Sequence, residues 1–149
     1  HFGIISGARL NFGGNAGVLR APGNENSLNY FGPSIPILKG NGRDKPWFDS
    51  TRCTATIATN CFGQPGNLQF GNLGPLPLAG PGSWDMSLSV FRDFKVHERL
   101  TMQLRGESFN TANTPIWGNP DTNIGNATFG YITGAGGNRT IQLGLKIVY

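Results

Sequence analysis

The last eleven residues of the chain alternate between apolar and polar side chains almost without fault. The apolar side of this alternation consists of Ile141, Leu143, Leu145, Ile147 and Tyr149. Because successive side chains of a β-strand point to opposite faces, the period of two predicts a strand with one unbroken apolar face. Eleven residues also match the roughly 9–11 with which a tilted strand crosses a bilayer. Such a face has to meet either lipid or another protein surface.

Two further segments, residues 83–96 and 100–109, alternate in the same way. Their apolar positions are Trp84, Met86, Leu88, Val90, Leu100, Met102 and Leu104. A short turn separates the segments, so the sequence predicts a β-hairpin with one apolar and one polar face. The charge pairs expected across strands join Arg105 or Glu107 to Asp85 or Asp93. An ordinary amphipathic hairpin in a soluble sandwich fits the same alternation.

The N-terminal half of the chain has the composition of loops. Glycine contributes 23 and proline 10 of the 149 residues, and eight of the prolines lie in this half. Only 13% of the residues are charged, and no window shows helical periodicity. We predict a loop-rich region over residues 1–82, with short strands near residues 2–12, 54–59 and 67–70, and an antiparallel β region over residues 83–149. The predicted fold class is all-β, with amphipathic strands and hairpins joined by long Gly-, Pro- and Asn-rich loops.

The two cysteines, Cys53 and Cys61, lie close together in a polar, threonine-rich stretch. No second cysteine pair or histidine lies nearby in the sequence, which argues against a zinc site. In an oxidising compartment the pair would close a small loop, so we predict a disulfide, with two free thiols as the alternative. Such a bridge stiffens a loop and supplies no chemistry.

No residue pattern in the chain points to catalysis, a metal or a cofactor. His97 falls in the predicted turn, and residues 121–126 are similar to a calcium loop but offer one carboxylate and no distal glutamate. The net charge of +4 comes from scattered lysines and arginines, which does not suit a nucleic-acid-binding face. We therefore expect a protein that is not an enzyme and binds no cofactor, metal or nucleic acid. Two Asn-x-Thr sequences, at Asn126 and Asn138, are glycan-acceptor motifs that chance also explains.

A set of short motifs follows one another in order along residues 45–149. They are Trp47-Phe-Asp49, Phe70-Gly-Asn-Leu-Gly74, residues 80–91, residues 98–110, Gly118-Asn-Pro120, residues 129–133 and residues 139–146. In order and spacing they resemble the C-terminal segment of an Oar-like TonB-dependent receptor, an outer-membrane β-barrel family. The resemblance implies a Gram-negative outer-membrane barrel of about 22 strands, with a plug domain and TonB-driven uptake or export. A final strand that ends on an aromatic residue, here Tyr149, is typical of such barrels.

The predicted strands are too few to close a barrel, for which about eight are needed. We therefore expect an incomplete barrel or a sheet that neighbouring chains complete, because a barrel slice leaves two edge strands with unpaired backbone groups. The first residues already look like the middle of a pattern, so we also expect a processed or partial chain.

Two functions fit these expectations. The predicted one is a non-enzymatic structural subunit whose identical copies polymerise into an extracellular filament by β-strand complementation, with residues 1–82 as an extended donor. The alternative is that the chain forms the terminal strands of a TonB-dependent transporter in the outer membrane of a Gram-negative bacterium. The residues expected to face either lipid or a neighbouring copy are Trp84, Met86, Leu88, Val90, Leu100, Met102, Leu104, Ile141, Leu143, Leu145, Ile147 and Tyr149.

Overall fold

The computed structural model describes residues 1–13, 26–42, 44–75, 77–98 and 100–148. Within these residues the chain is all-β with antiparallel sheets, as the sequence predicts, and none of the sheets closes into a barrel. The strands are β1 Phe2–Ile5, β2 Arg9–Leu10, β3 Asn29–Tyr30, β4 Phe62–Gly63, β5 Leu78–Ala79, β6 Ser83–Met86, β7 Leu88–His97, β8 Leu100–Phe109, β9 Ile116–Trp117, β10 Ala135–Gly136 and β11 Thr140–Val148.

The chain divides into two compact units, each built from separate stretches of sequence. Unit 1 contains His1–Ile5, Gly82–Ile116 and Gly136–Tyr149. Unit 2 contains Ser6–Pro81 and Trp117–Ala135. Each of the two regions distinguished in the sequence therefore contributes to both units.

The main feature of unit 1 is a three-stranded antiparallel sheet in the order β11-β8-β7. The central strand β8 places Leu104 between Arg92 of β7 and Leu145 of β11. The β7–β8 register shifts between Lys95 and His97, a β-bulge just before the short turn that joins the two strands. The period of two in the sequence is the reason that these three segments become long strands, since each gains a continuous apolar face.

Strands β6 and β7 continue one another, separated at Ser87. Strand β1 pairs with β6, with Phe2 opposite Met86 and Ile4 opposite Trp84. Unit 1 therefore contains a long strand, β6 followed by β7, that β1 accompanies over its first part and β8 over its second.

One residue, Asn110, fixes the end of β8. Its backbone is left-handed, with a φ of 47°, a region that asparagine tolerates better than most residues. Its side-chain amide donates to the carbonyl groups of Thr114, at 2.8 Å, and of Gly137. Its side-chain oxygen accepts from the N–H of Thr114 at 3.1 Å and from the Thr114 hydroxyl at 2.9 Å. The strand thus ends in a turn whose polar groups are hydrogen-bonded.

Unit 2 folds around an aromatic core, although its complete strands are only two residues long. β2 pairs with β5, and β3 with β4. The four phenylalanines at the centre, Phe12, Phe48, Phe62 and Phe129, are at most 2% exposed. Their ring centroids lie 5.1–6.4 Å apart, within the range at which aromatic rings attract one another.

Close approaches between loops hold this unit together. The N–H of Trp47 donates to the carbonyl of Gly130 at 2.7 Å, and its indole N–H donates to the carbonyl of Ala79 at 3.0 Å. A Cβ on Gly7 would lie 1.8 Å from the carbonyl oxygen of Gly80, so only glycine allows these two segments to meet. The glycine-rich composition of the N-terminal half is therefore a packing requirement here.

Two of the short strands expected in the N-terminal half are wrong. Residues 54–59 form a turn closed by the hydrogen bond from Thr54 N–H to the carbonyl of Ile57, at 2.9 Å. Residues 67–70 form a turn in which Leu68 has a φ of 60°. The short strand expected near residues 2–12 is present as two strands, β1 and β2. Of the expected donor region, residues 14–25 lie outside the described part of the chain.

Candidate functional site, the amphipathic sheet of unit 1

One face of the three-stranded sheet is apolar and exposed. Residues directly opposite each other on antiparallel strands share a face, so the register builds this surface row by row. The rows are Leu88-Ser108-Ile141, Val90-Gly106-Leu143, Arg92-Leu104-Leu145 and Phe94-Met102-Ile147. Leu143 is 82% exposed and Val90 is 72% exposed. We call this surface the apolar face.

The apolar face is too large to be a neutral feature in water. Fully burying a Val, Leu, Ile or Phe side chain contributes roughly 1.5–3 kcal/mol, and this face holds many of them unburied. A contiguous exposed apolar patch beyond a few hundred Å² marks a protein or membrane interaction site in a protein that is otherwise soluble. The face is therefore the candidate functional surface of unit 1.

The opposite face of the sheet is polar. Its polar members are Ser89, Asp93, Lys95, Thr101, Gln103, Arg105, Glu107, Thr140, Gln142 and Lys146, and Phe109 and Val148 lie at the ends of the same face. The side-chain amide of Gln103 donates to the Asp93 carboxylate at 2.8 Å, and Arg105 lies 3.8 Å from Glu107 on the same strand. The expected pairing of Arg105 or Glu107 with Asp85 or Asp93 is therefore wrong, because the register places Asp93 opposite Gln103 and Asp85 in the β1–β6 pair.

Two residues of β7 differ in polarity from the face of the sheet on which they lie. Phe91 lies on the polar face and is 63% exposed. Arg92 lies on the apolar face, and its guanidinium carbon is 5.3 Å from the ring centroid of Phe94. An arginine can lie along apolar surface because its aliphatic stem is apolar while its head group reaches polar surroundings or an aromatic ring.

The structure places most of the residues singled out in the sequence on one surface. Leu88, Val90, Met102, Leu104, Ile141, Leu143, Leu145 and Ile147 lie on the apolar face. Trp84 and Met86 occupy the corresponding alternation in β6, and Leu100 begins β8 opposite His97. Tyr149, also singled out in the sequence, lies outside the described residues.

Sequence reasoning missed three apolar residues of this region. Phe94 continues the alternation of β7 and was overlooked there. Phe2 and Ile4 come from the distant N-terminus and reach β6 through the β1–β6 pairing. The only indication of this strand face in the sequence is that Phe2 and Ile4 are two residues apart. Two alternating positions are too few to be recognised in a loop-rich region.

An aromatic pair marks the β1–β6 part of unit 1. The rings of Phe2 and Trp84 lie 6.1 Å apart. Together with Ile4, Ile5 and Ser83 they line an open, mostly apolar cavity of about 540 Å³. Amphipathic aromatic side chains such as tryptophan are enriched where an apolar surface meets water, at membrane interfaces above all.

The predicted disulfide between Cys53 and Cys61 is present in unit 2, with the two Cα atoms 5.0 Å apart. Cys61 is fully buried beside the aromatic core. The N–H of Cys53 donates to the carbonyl of Phe62, and the N–H of Phe62 donates to the carbonyl of Thr51, both at 2.8 Å. The bridge therefore fastens an otherwise irregular loop to β4 and the core.

The loop that is similar to a calcium site is held by its own side chains. The Asp121 carboxylate accepts hydrogen bonds from the N–H of Asn123, the amide of Asn126 and the hydroxyl of Thr128, at 2.6–2.9 Å. Burial alone would raise the pKa of Asp121, but these hydrogen bonds outweigh it and the pKa is lowered. Within the described residues, no three His, Cys, Asp or Glu side chains cluster closely enough to hold a metal ion.

The two glycan-acceptor motifs lie on the surface. Asn126 and Asn138 are both exposed. The side-chain amide of Asn126 donates a hydrogen bond to the Asp121 carboxylate, and its backbone carbonyl accepts a hydrogen bond from Arg52.

The described part of the chain contains no helix that is long and apolar enough to span a membrane.

Comparison with known proteins identifies one family. Its profile matches residues 2–142, nearly the whole chain, and its description is an outer membrane beta barrel domain. No curated protein and no solved structure matches the chain significantly. The match agrees with strands that carry one apolar and one polar face, and it supports a location in the outer membrane of a Gram-negative bacterium. The chain thus belongs to the outer membrane beta barrel domain family.

Proposed function

We propose that unit 1 is a section of the wall of an outer-membrane β-barrel, with its apolar face against lipid hydrocarbon and its polar face toward the lumen. The observation that supports this role is the exposure of the apolar face, on which eight large side chains are between 44% and 82% exposed. Outer-membrane strands alternate apolar-out and polar-in, which is the pattern of β7, β8 and β11. This role needs no catalytic residue and no cofactor.

The strand lengths suit a bilayer. β7 and β8 each contain 10 residues. At about 3.3 Å per residue such a strand is about 33 Å long, and a tilt of about 45° reduces its height to about 23 Å. The apolar band of an outer-membrane barrel is about 25 Å tall. A strand of this length would therefore cross the hydrocarbon once.

The connections suggest an orientation. β7 and β8 are joined by a short turn, whereas the chain runs for many residues between β1 and β6 and between β8 and β11. Outer-membrane barrels have short periplasmic turns and long extracellular loops. In the proposed orientation the β7–β8 turn faces the periplasm and the long connections lie outside, where the Cys53–Cys61 disulfide would be maintained.

The Oar-like TonB-dependent receptor that the sequence resembles is the particular kind of barrel that we propose. Transport by such a receptor depends on a complete barrel and a plug domain, so uptake or export would be a property of the assembled barrel. The contribution of residues 1–149 would be wall strands and their external connections.

Site-specific labelling of adjacent residues on opposite faces tests the wall role. Leu143→Cys and its neighbour Gln142→Cys would each carry an environment-sensitive fluorophore, with the native disulfide kept intact. In phospholipid vesicles we expect the label at position 143 to shift its emission to the blue and to be quenched by lipids spin-labelled in the acyl chain. The label at position 142 should remain accessible to a water-soluble quencher. Equal quenching of the two labels by the lipid would contradict the proposal.

Self-assembly into a filament is the second candidate, and the open edges of β7 and β11 favour it. Each is the outermost strand of its sheet within the described residues, and an unpaired edge is a template for pairing with another chain. Identical copies that add strands without closing a ring would form an extracellular filament. In this case light scattering in the absence of lipid would show a particle that grows with protein concentration.

A further inference from the structure

A glycine interrupts the polar face of the sheet near its middle. Gly144 is the fifth of the nine residues of β11 and lies opposite Arg105 of β8. A Cβ added to Gly144 would have one neighbour within 4 Å among the described residues, the Cβ of Arg105 at 4.0 Å. A side chain would therefore fit at this position, so packing within the chain does not explain the glycine.

The backbone does not require a glycine at this position either. The described glycines with a positive φ are Gly130 and Gly137, so Gly144 has a conformation that other residues adopt. The β8–β11 register runs from Thr140 to Val148 without a shift, which argues against a bulge or a sharp bend. Besides bulges and bends, a glycine inside a strand marks a position that a ligand or another chain approaches closely.

The second glycine of the three-stranded sheet, Gly106, shows the contrast. It lies on the apolar face, where a Cδ2 atom of Leu143 comes within 3.6 Å of the place that its Cβ would take. The space above Gly106 is thus partly covered by a neighbouring side chain. The space above Gly144 is open, and we call it the Gly144 gap.

Positively charged side chains border the Gly144 gap. It is an open, polar cavity of about 250 Å³ lined by Gln103, Arg105, Gly144, Leu145 and Lys146. Arg105 approaches the carboxylate of Glu107 to 3.8 Å, which is too far for a hydrogen bond. The planar guanidinium of Arg105 can therefore direct its N–H donors to a ligand. The charges of the arginine and the lysine favour an anion in the gap.

The same row of the sheet contains an exposed aromatic ring. Phe91 of β7 lies opposite Arg105 on the polar face and is 63% exposed. The other apolar side chains of this face lie at its ends, so a phenylalanine near the middle stands among polar neighbours. Water contact forfeits the free energy that burial of the ring would contribute. A flat apolar group of a ligand could cover the ring by stacking on it.

We propose that the row formed by Phe91, Arg105 and the Gly144 gap is a binding site for a small organic anion that carries a carboxylate and a flat apolar ring. The carboxylate would lie in the gap between Arg105 and Lys146, since a guanidinium pairs with a carboxylate through two parallel hydrogen bonds. The ring would lie on Phe91. Adjacent strands are about 4.8 Å apart, so Gly144 and Phe91 are about 10 Å apart, and a ligand of this length reaches both.

The depth of the row in the proposed wall supports a role in the passage of solutes. The inference rests on the proposed wall function and names a class of solute for its polar face. Arg105 is the sixth of the ten residues of β8, and Phe91 is the fourth of the ten of β7. The row therefore lies near the middle of the hydrocarbon layer. At this depth ionisable side chains face a water-filled cavity and mark the path of an ion or substrate.

Binding of phenylbutyrate to the full 149-residue chain in phosphatidylcholine vesicles tests the site. This probe carries a phenyl ring and a carboxylate at opposite ends of a three-carbon chain. Saturation-transfer NMR, corrected with protein-free vesicles, should give a dissociation constant of about 1 mM, a value usual for so small a ligand. Uncharged phenylbutanol should bind about tenfold more weakly or worse, because it cannot make charge-assisted hydrogen bonds. Added salt should weaken the binding of phenylbutyrate.

Matched variants separate the site from the rest of the sheet. Gly144→Val fills the gap and keeps every charge, and it should weaken binding by about tenfold or more, whereas Gly106→Val on the other face should not. Arg105→Gln should weaken binding to a similar extent, while Lys95→Gln, on the same face away from the gap, should have no effect. Phe91→Ala should weaken the binding of phenylbutyrate by about three- to tenfold and leave that of ring-free butyrate unchanged.

Several results would overturn the site. They are equal binding by the unmodified chain and Gly144→Val, equal binding of phenylbutyrate and phenylbutanol, an equal loss in Gly106→Val, and no binding at about 10 mM probe. Amide exchange of β8 shows whether each variant keeps its strand pairing. Arg105→Gln and Phe91→Ala change exposed side chains, so they decide the question if Gly144→Val loses that pairing.

The fluorophore on Leu143→Cys, measured in the same vesicles, separates this site from the wall function. If lipid quenches the fluorophore and phenylbutyrate does not bind, the anion site alone fails. If lipid does not reach the fluorophore, the wall function fails. The binding of phenylbutyrate and its loss in Gly144→Val then still decide whether the polar face holds an anion.

Discussion

Unit 2 and unit 1 differ in whether their large apolar side chains are buried or exposed. Unit 2 has strands of only two residues, yet Phe12, Phe48, Phe62 and Phe129 are buried against one another. Unit 1 has strands of nine and ten residues, yet Leu143 and its neighbours remain exposed. Regular secondary structure and a buried core are thus found in different parts of this chain. Unit 2 thus has an apolar interior of its own, whereas the sheet of unit 1 leaves its apolar side chains exposed.

The largest expected effect comes from removing a ring from the interior of unit 2. Phe129 is 1% exposed, and its ring contacts those of Phe48 and Phe62 at 5.4 and 5.1 Å. We expect Phe129→Ala to lower the free energy of unfolding by about 3–5 kcal/mol, since a buried aromatic side chain is lost and a cavity remains. Urea unfolding followed by tryptophan fluorescence measures the change, in a Trp84→Phe background so that only Trp47 and Trp117 of unit 2 emit.

The matched control removes apolar atoms from unit 1. Leu143→Ala should change the free energy of unfolding in lipid-free buffer by less than about 0.5 kcal/mol, because the side chain is 82% exposed. A loss similar to that of Phe129→Ala would show that the apolar face is already covered in solution. The contrast between the two units would then be wrong.

A smaller effect is expected from opening the disulfide. The double substitution Cys53→Ser and Cys61→Ser should destabilise unit 2 by about 2–3 kcal/mol, because the unfolded loop regains conformational freedom. Reduction of the unmodified protein should produce a similar shift of the same unfolding transition. Amide exchange of β8, in unit 1, should not change. Loss of protection in β8 would mean that the two units do not unfold independently.

A smaller loss of stability than that from opening the disulfide is expected when the charge of Asp121 in unit 2 is removed. Its pKa is lowered in the folded state, so the carboxylate stabilises the fold above the unfolded pKa and this contribution is lost as the pH falls through the folded pKa. We expect Asp121→Asn to cost about 1 kcal/mol at neutral pH and to flatten the acid limb of the stability curve below about pH 4. Unfolding midpoints measured between neutral and acid pH test this. An unchanged acid limb would contradict it.

The sequence predicts the part of the fold that follows from a local period. The alternation over β7, β8 and β11 is sufficient to place the strands and to group their apolar residues, because the two faces of a strand differ at every step. The disulfide also follows from sequence, since the chain offers only one pair of cysteines. The family assignment required motifs spread along the chain as well as the strands.

The aromatic core and the β1–β6 pairing could not be predicted from a local period in the sequence. Phe12, Phe48, Phe62 and Phe129 come from four separate segments of the chain, and no period relates their positions. Their burial depends on close contacts between glycine-rich loops, which no local pattern encodes. The pairing of Phe2 with Met86 likewise joins the N-terminus to the second half of the chain. The charge pairs of the polar face were mispredicted because they require the register between strands.

The Cys53–Cys61 bridge ties the folding of unit 2 to the compartment in which the chain resides. Thiols are kept reduced in the bacterial cytoplasm and become oxidised in the periplasm. Before export, unit 2 therefore lacks the stabilisation of about 2–3 kcal/mol that the closed loop supplies. A less stable unit is more easily kept unfolded for passage through a secretion channel. Oxidation after passage adds this stabilisation, so the stability of unit 2 differs between the two sides of the inner membrane.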